Sequence, residues 1–221
     1  MPLNLDFIAE YLPLYIDAAK LTVKIAFLGI ALSLLVGIVC AAAQYYRVPV
    51  VHRIISVYIE ISRNTPLLIQ LFFLYFGLPK VGIVLSGEVC AVIGLTFLGG
   101  SYMSESIRSG LESIEKTQIE SAASLGMSRL LTMKEVIFPQ ALAVSVPGVF
   151  ANVIFLIKET SVVSGIALAD LMYVTKDLIG LYYETDEALL MLVGFYLVIL
   201  LPISIFATVC ERRLRYAGFG N

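Results

Sequence analysis

From Ile25 to Ala43 the chain carries no charged side chain. A run of that length crosses the roughly 30 Å hydrocarbon core of a bilayer as a helix. Gly29, Ser33 and Gly37 recur in it at every fourth position, a small-residue stripe suited to close contact with another helix. Further apolar stretches follow, so the first constraint on the fold is that it is built in lipid.

The later stretches are less uniform. Ile54 to Pro79 is apolar but interrupted by Glu60, Arg63, Asn64 and Pro66. Helix breakers at that depth are tolerated only where the freed backbone is buried in protein or lines a cavity. A third stretch begins near Val89 and continues as an amphipathic helix past Glu105 and Arg108, one turn apart and placed to pair with each other. The fourth, Val136 to Ile157, contains Pro139 and Pro147 and stops at Lys158-Glu159-Thr160. Ser161 to Ala169 is apolar but short, either re-entrant or a broken continuation. Asp170 to Glu187 is polar and acidic, and Ala188 to Cys210 is the last span. Length predicts about five crossings. Met1 to Lys20 interleaves Leu, Ile and Tyr with acids and is expected to form an interfacial lead-in helix, kinked at Pro13. The composition agrees: 59% hydrophobic and 14% charged residues with a mean hydropathy of +0.92 exceed an ordinary soluble domain. No internal repeat divides residues 1–221, which read as a single transmembrane domain.

Charge asymmetry orients the spans. When they alternate, Arg47, Arg53, Arg108, Lys116, Arg129, Lys134, Arg212, Arg213 and Arg215 fall on one side. The other side holds Lys80, Lys176, Lys20 and Lys24 among many acids, including Asp6, Glu10, Asp17, Glu88, Asp177, Glu184, Asp186 and Glu187. The basic side is cytoplasmic, which puts the N-terminus outside and the C-terminus inside. The expected fold is therefore an all-α integral membrane protein.

Several functions are disfavoured. Cys40, Cys90 and Cys210 lie in or beside apolar stretches without metal-type spacing and read as unpaired core residues. His52 is the sole histidine, so neither a histidine metal cluster nor a Ser–His–Asp constellation is expected, which argues against a membrane-embedded enzyme. Without a basic run or a one-sided soluble Lys/Arg face, no nucleic-acid partner is expected. Asp6, Glu10 and Asp17 stand where a cleavable signal peptide would be basic.

Between two apolar segments lies a polar island, Thr117 to Pro139, predicted to be cytoplasmic. Thr117 and Glu120 have capping-box spacing, and Ile119–Leu125 is rich in helix formers. Gly126 sits where a helix would end in the left-handed conformation. Ser128 can cap a second short helix, and Pro139 interrupts backbone donation as the next apolar segment begins. The island reads as a helix–turn–helix on which a partner docks.

The segment ESAASLGMSRLLTMKEVIFP is similar to the cytoplasmic loop of ATP-binding-cassette importer permeases, whose pattern is E-A-A-x3-G-x9-I-x-L-P. Glu120, Ala122, Gly126 and Pro139 fit in register, while Ser121, Val136 and Phe138 depart from it by small or apolar replacements. RNTPLLIQLFFLYFGLP, SYMSESIRSGLESIEKTQ and FLIKETSVVSGIALADL resemble the polar amino-acid branch, so the likeness covers nearly all of the chain after the first span. It implies a permease subunit of an ATP-driven polar amino-acid importer in the bacterial inner membrane, working by alternating access. It also implies partners: a second permease subunit, identical or similar, two ATPase subunits and an extracytoplasmic amino-acid-binding protein. Glu120, Ser121, Ala122, Ala123, Gly126 and Pro139 would then couple the chain to the ATPase. No G-x-x-x-x-G-K-[ST] loop is present, so ATP and Mg would be bound by the partner and no cofactor or metal by this chain. An ion-coupled secondary carrier or channel is the competing class, since it too would use broken spans and buried carboxylates.

Two groups are candidates for substrate contact. Thr65 and Gln70, with Arg63 and Asn64, lie in the interrupted second span, a usual place for a midplane site. Arg63 could instead pair with Glu60 or snorkel to the interface. Glu159 and Asp170 either face the path or sit at the outer interface beside Lys158 and Lys176. If they face the path they favour a cationic head, hence a basic amino acid, and Thr160, Ser161 and Ser164 would add neutral hydrogen bonds. Phe72, Phe73, Tyr75 and Phe76 read as lipid-facing or packing surface.

Overall fold

A computed structural model describes residues 3–219, with side chains through residue 214, so Arg215 of the basic group lies outside the described side chains. No strand occurs among the described residues. Among these residues nine α-helices follow one another: α1 (Leu5–Tyr45), α2 (Val51–Asn64), α3 (Leu67–Phe72), α4 (Gly87–Glu112), α5 (Lys116–Ser124), α6 (Arg129–Thr132), α7 (Phe138–Glu159), α8 (Leu171–Tyr182) and α9 (Thr185–Phe219). Among the described residues three helical stretches are long and apolar enough to cross a membrane: Leu5–Tyr45, Arg129–Ile166 and Thr185–Leu214. The expected second crossing is broken at Thr65–Pro66, and only the shorter Leu67–Val81 portion is apolar.

The first 41-residue helix corrects an expectation. Residues 5–20 are not a separate lead-in helix; they run unbroken through Pro13 into the apolar stretch, for about 60 Å at 1.5 Å per residue. Asn4 caps it, its side-chain oxygen accepting the Phe7 N–H at 3.1 Å. Two prolines share one local solution. Pro79 and Pro139 each lie two residues beyond a π-helical turn, Phe73–Gly77 and Met133–Ile137 respectively. There Leu78 donates to the Phe73 carbonyl and Phe138 to that of Met133. Widening the helix just before a residue that cannot donate lets the backbone continue. The fourth apolar stretch therefore does not restart at Pro139. α6, the π turn, α7 and a 3₁₀ turn over Thr160–Ile166 follow without interruption, so Ser161 to Ile166 is a continuation that ends where Ala167 turns left-handed at φ 56°.

The chain forms two compact units. One comprises Met1–Ala31, Thr65–Phe97 and Ile154–Ile203. Its core joins Phe7, Tyr15 and Ala18 of α1 to Leu171, Val174 and Leu178 of α8 and to Met191 and Leu192 of α9. The Tyr15 hydroxyl is satisfied inside this core by Thr175 and by the Ala188 carbonyl, both at 2.9 Å. Gly29 lies against Leu95, whose Cβ would be 2.9 Å from an added methyl group. The other unit comprises Leu32–Asn64, Leu98–Val153 and Ser204–Asn221. In it Cys40 of α1 packs on Ile55 and Ile59 of α2. A Cβ at Gly37 would stand 2.5 Å from that of Met103. The small-residue stripe therefore contacts α4 in each unit, as its spacing predicts. Large apolar side chains along α9, among them Leu190, Val193, Val198, Leu201, Ile205 and Phe206, are exposed, as lipid-facing surfaces are. All three cysteines are free.

Candidate functional site

The island lies within the second unit. α5 begins at Lys116, two residues earlier than the capping-box spacing suggests. Its N-cap position is Glu115, without a side-chain cap, and Thr117 donates to the Glu115 carboxylate at 3.1 Å. The predicted box between Thr117 and Glu120 is thus absent, because Thr117 already lies inside the first turn. The other end follows the prediction. Gly126 has φ +76°, its N–H bonds the Ala123 carbonyl at 3.0 Å, and the Met127 N–H bonds that of Ala122 at 3.1 Å, the paired closure of a Schellman motif. Ser128 caps α6 by accepting the Leu131 N–H at 3.3 Å. Gln140 of α7 donates to Gln118 at 2.7 Å, tying the span to α5.

Exposure sorts the loop residues. Glu120, Ser121, Ala123, Gly126 and Pro139 are exposed, whereas Ala122 is buried. Ala122 therefore packs α5 onto its own chain, and only Ala123 of the two alanines offers a small surface to a partner. Sequence reasoning missed Leu125 and Leu130, which are 82% and 79% exposed at the tip. Their signal was available, since two leucines beside a glycine turn on a polar loop have no core of their own to enter.

Of the candidate substrate residues, Arg63 and Asn64 lie in the second unit and the others in the first. The helix break at Thr65–Pro66 frees the Thr65 carbonyl, and Gln70 satisfies it from one turn onward at 2.9 Å. Thr160 is buried and its hydroxyl returns to the Ile157 carbonyl at 2.6 Å. Ser161 and Ser164 are half-buried, and Ser164 accepts from Lys176 at 3.3 Å. Glu159 is half-buried at the end of α7, and neither it nor Lys158 forms an ion pair among the described residues. Asp170 is fully buried as the N-cap of α8, accepting the Tyr173 N–H at 2.9 Å while its other carboxylate oxygen has no hydrogen bond. Burial pushes this carboxyl up to about 6, and the Tyr173 and Met172 N–H groups and Lys176 pull it only partly back. Neither acid is paired with a lysine; Glu159 is the carboxylate left available, while Asp170 has a structural task.

In the second unit Arg63 pairs not with Glu60 but with Glu105, across α2 and α4. Glu60 instead accepts from Asn64 at 3.2 Å. Glu105 also holds Arg108 at 3.3 Å, the pair that the spacing predicts, and Arg108 holds Glu112 at 2.7 Å. In the first unit Phe72, Phe73 and Phe76 are exposed at and beside the π turn, and Phe76 packs edge to face against Phe72 and Tyr75.

Against known proteins, residues 33–216 match the family described as "Binding-protein-dependent transport system inner membrane component". The "Probable glutamine ABC transporter permease protein GlnP" of Bacillus subtilis (strain 168) is 40% identical over 173 residues, 76% of this chain and 79% of that protein. The arginine transport system permease protein ArtQ of the same organism is 31% identical over 216 residues, 96% of this chain and 99% of its own length. A crystal structure of an amino acid ABC transporter with histidines superposes with a TM-score of 0.88 at 31% identity, covering 96% of this chain and all of that one, 100%.

Proposed function

Since this chain belongs to the family of inner-membrane components of binding-protein-dependent transport systems, we propose that it is the permease subunit of an ATP-driven importer of polar amino acids. The family is a membrane component of a transport system and not an enzyme. The single observation that carries the coupling part is the closed turn between α5 and α6, where the Gly126 closure and the Ser128 cap hold Leu125 and Leu130 out into solvent. Unpartnered leucines on a braced turn suit an apolar groove on another protein.

In this reading the basic side is cytoplasmic, as the positive-inside rule places it, and the loop docks on a separate ATPase subunit that binds ATP and Mg. Glu120, Ser121, Ala123, Gly126 and Pro139 form the contact surface with the two leucines, and Ala122 supports α5 from beneath. A second permease subunit completes the pore, and an extracytoplasmic binding protein delivers the amino acid. ATP binding draws two such loops together. Because α6 runs on through the π turn into α7, movement of the loop is carried directly to a span, giving alternating access. Glutamine and arginine, named for the two relatives, share the α-amino-acid group, so polar amino acids are the proposed class. Glu159, with Thr65, Gln70, Ser161 and Ser164 in the same unit, is proposed to contact the substrate, and its unpaired carboxylate tilts the choice toward a basic one. Thr160 and Asp170 hold that region in shape.

The test is uptake into proteoliposomes holding the chain with its ATPase and binding protein. Labelled amino acid should accumulate only with internal ATP and should survive an ionophore. Uptake that collapses with the ionophore but persists without ATP would establish the ion-coupled alternative instead.

A further inference from the structure

On α4, Tyr102, Glu105, Ser106 and Ser109 stand at i, i+3, i+4 and i+7, and on α7, Ser145, Gly148 and Asn152 stand at i, i+3 and i+7. Each set is one helix face. Both faces line a cavity of about 300 Å³ within the second unit. A Cβ on Gly148 would lie 2.9 Å from the Ser106 hydroxyl, so the glycine permits the close approach of the two helices. Asn152 spans them, donating to the Tyr102 carbonyl at 3.1 Å and to the Ser106 hydroxyl at 2.9 Å. A polar cavity of this kind between apolar helices is costly unless it carries something.

Arg63 enters the same cavity from the end of α2, its guanidinium 5.2 Å over the Tyr102 ring and paired with Glu105. The side chains of this pair are 39% and 34% exposed, so a ligand can reach both. Opening such a pair is ordinarily opposed by the charges it strands. Here neither is stranded: Glu105 keeps Arg108, and Arg63 keeps the face of Tyr102. Glu105 also lines a second cavity of about 550 Å³ in this unit, bounded in part by Arg47, Arg53 and Arg108, so this carboxylate borders both spaces.

We propose that Arg63 and Glu105 form a recognition point for the zwitterionic head of an amino acid. The pair opens, the Arg63 guanidinium donates two N–H bonds to the α-carboxylate, and the Glu105 carboxylate accepts from the α-ammonium. Ser106, Ser109 and Asn152 face the remainder of the ligand. Every α-amino acid carries those two charges, so this point reads the class, while the choice among members is made in the other unit. The inference rests on the amino-acid importer reading, and the experiment separates the two.

Uptake of each common L-amino acid is first measured with the wild-type chain in its reconstituted complex. No ATP-driven uptake of any of them would sink the importer reading itself. With a transported amino acid in hand, Arg63→Met and Glu105→Gln should each lower uptake efficiency roughly tenfold or more, as expected for losing a hydrogen bond to a charged group. The charge exchange Arg63→Glu with Glu105→Arg should restore assembly without restoring uptake. Recovery of near-wild-type uptake by the exchange would make the pair a strut and overturn the proposal. A second measurement does not depend on those variants. Ser109→Cys is introduced where Cys40, Cys90 and Cys210 are serine, and its labelling by a small methanethiosulfonate is followed in the permease–ATPase complex. The transported amino acid should slow labelling several-fold, whereas its decarboxylated amine and its desamino acid should not. Unchanged labelling, or equal protection by either analogue, also overturns it.

Discussion

The Met127 N–H reaches back to the Ala122 carbonyl at 3.1 Å, around Gly126 at φ +76°. This bond ends α5 and sets the direction in which α6 leaves. A Cβ at Gly126 would meet nothing within 4 Å, so Gly126→Ala carries only the torsional penalty of the left-handed region, about 1–2 kcal/mol. That penalty is confined to the loop. The variant should insert and unfold thermally much as wild type does, while transport-coupled ATP hydrolysis falls. A Gly126→Ala complex that couples normally would remove the turn from the coupling mechanism.

Leu125 and Leu130 supply a sharper test of docking. Burying one such side chain in a partner groove is worth about 1.5–3 kcal/mol, whereas in the isolated chain both are solvent-facing. Leu125→Asp and Leu130→Asp should therefore leave the permease's own thermal stability unchanged and weaken its association with the ATPase by roughly tenfold or more each. Co-purification at graded dilution measures the second effect. A fall in the stability of the permease alone would show that the leucines belong to its own core.

Two glycines in helices predict opposite signs. Gly37→Ala brings a methyl group to 2.5 Å from the Met103 Cβ and 3.0 Å from the Ser104 backbone nitrogen. α1 must then shift from α4, a strain of about 1–3 kcal/mol. Gly180 lies in α8 with open space around it, and Gly180→Ala should stabilise by up to about 1 kcal/mol through helix propensity. Thermal unfolding in one detergent compares the two. Equal effects would mean that the contact with α4 does not constrain α1.

What was legible in the sequence was largely local. Ser128, Gly126 and the glycines Gly29 and Gly37 of the small-residue stripe act over one or two turns, and each performs the task that its spacing predicts. The reading of Thr117 failed by two residues, because a capping pattern does not show whether the helix has already begun. The lead-in helix failed differently: residues 5–20 read as a separate interfacial element, yet the helix runs on through Pro13 for 41 residues. The partner of Arg63 was out of reach, because Glu60 is near in sequence and Glu105 is near only after α2 and α4 pack. Asn152 was invisible for the same reason, being one polar residue in an apolar span until α4 supplies Tyr102 and Ser106 beside it. The site residues inferred from motifs thus lie where chain-local patterns are strong, and those that geometry adds lie where two helices meet.

Asp170 allows a prediction about pH. Its carboxyl is buried without exposure at the start of α8, one oxygen capping Tyr173 and the other lacking a hydrogen bond. Burial raises it from the usual carboxylate range to about 6, so the protonated acid is the form that the fold prefers. The corresponding stability is present in full below the ordinary carboxylate range and is lost as pH climbs through about 6. Between pH 4 and 7 the wild-type unfolding temperature should therefore carry a descending component. Asp170→Asn keeps a capping oxygen and removes the charge. It should flatten that component and unfold at a higher temperature than wild type at pH 7.5. Thermal unfolding of both proteins across this range checks the sign. Identical slopes would mean that Asp170 remains ionised throughout, with Lys176 or solvent sustaining its charge.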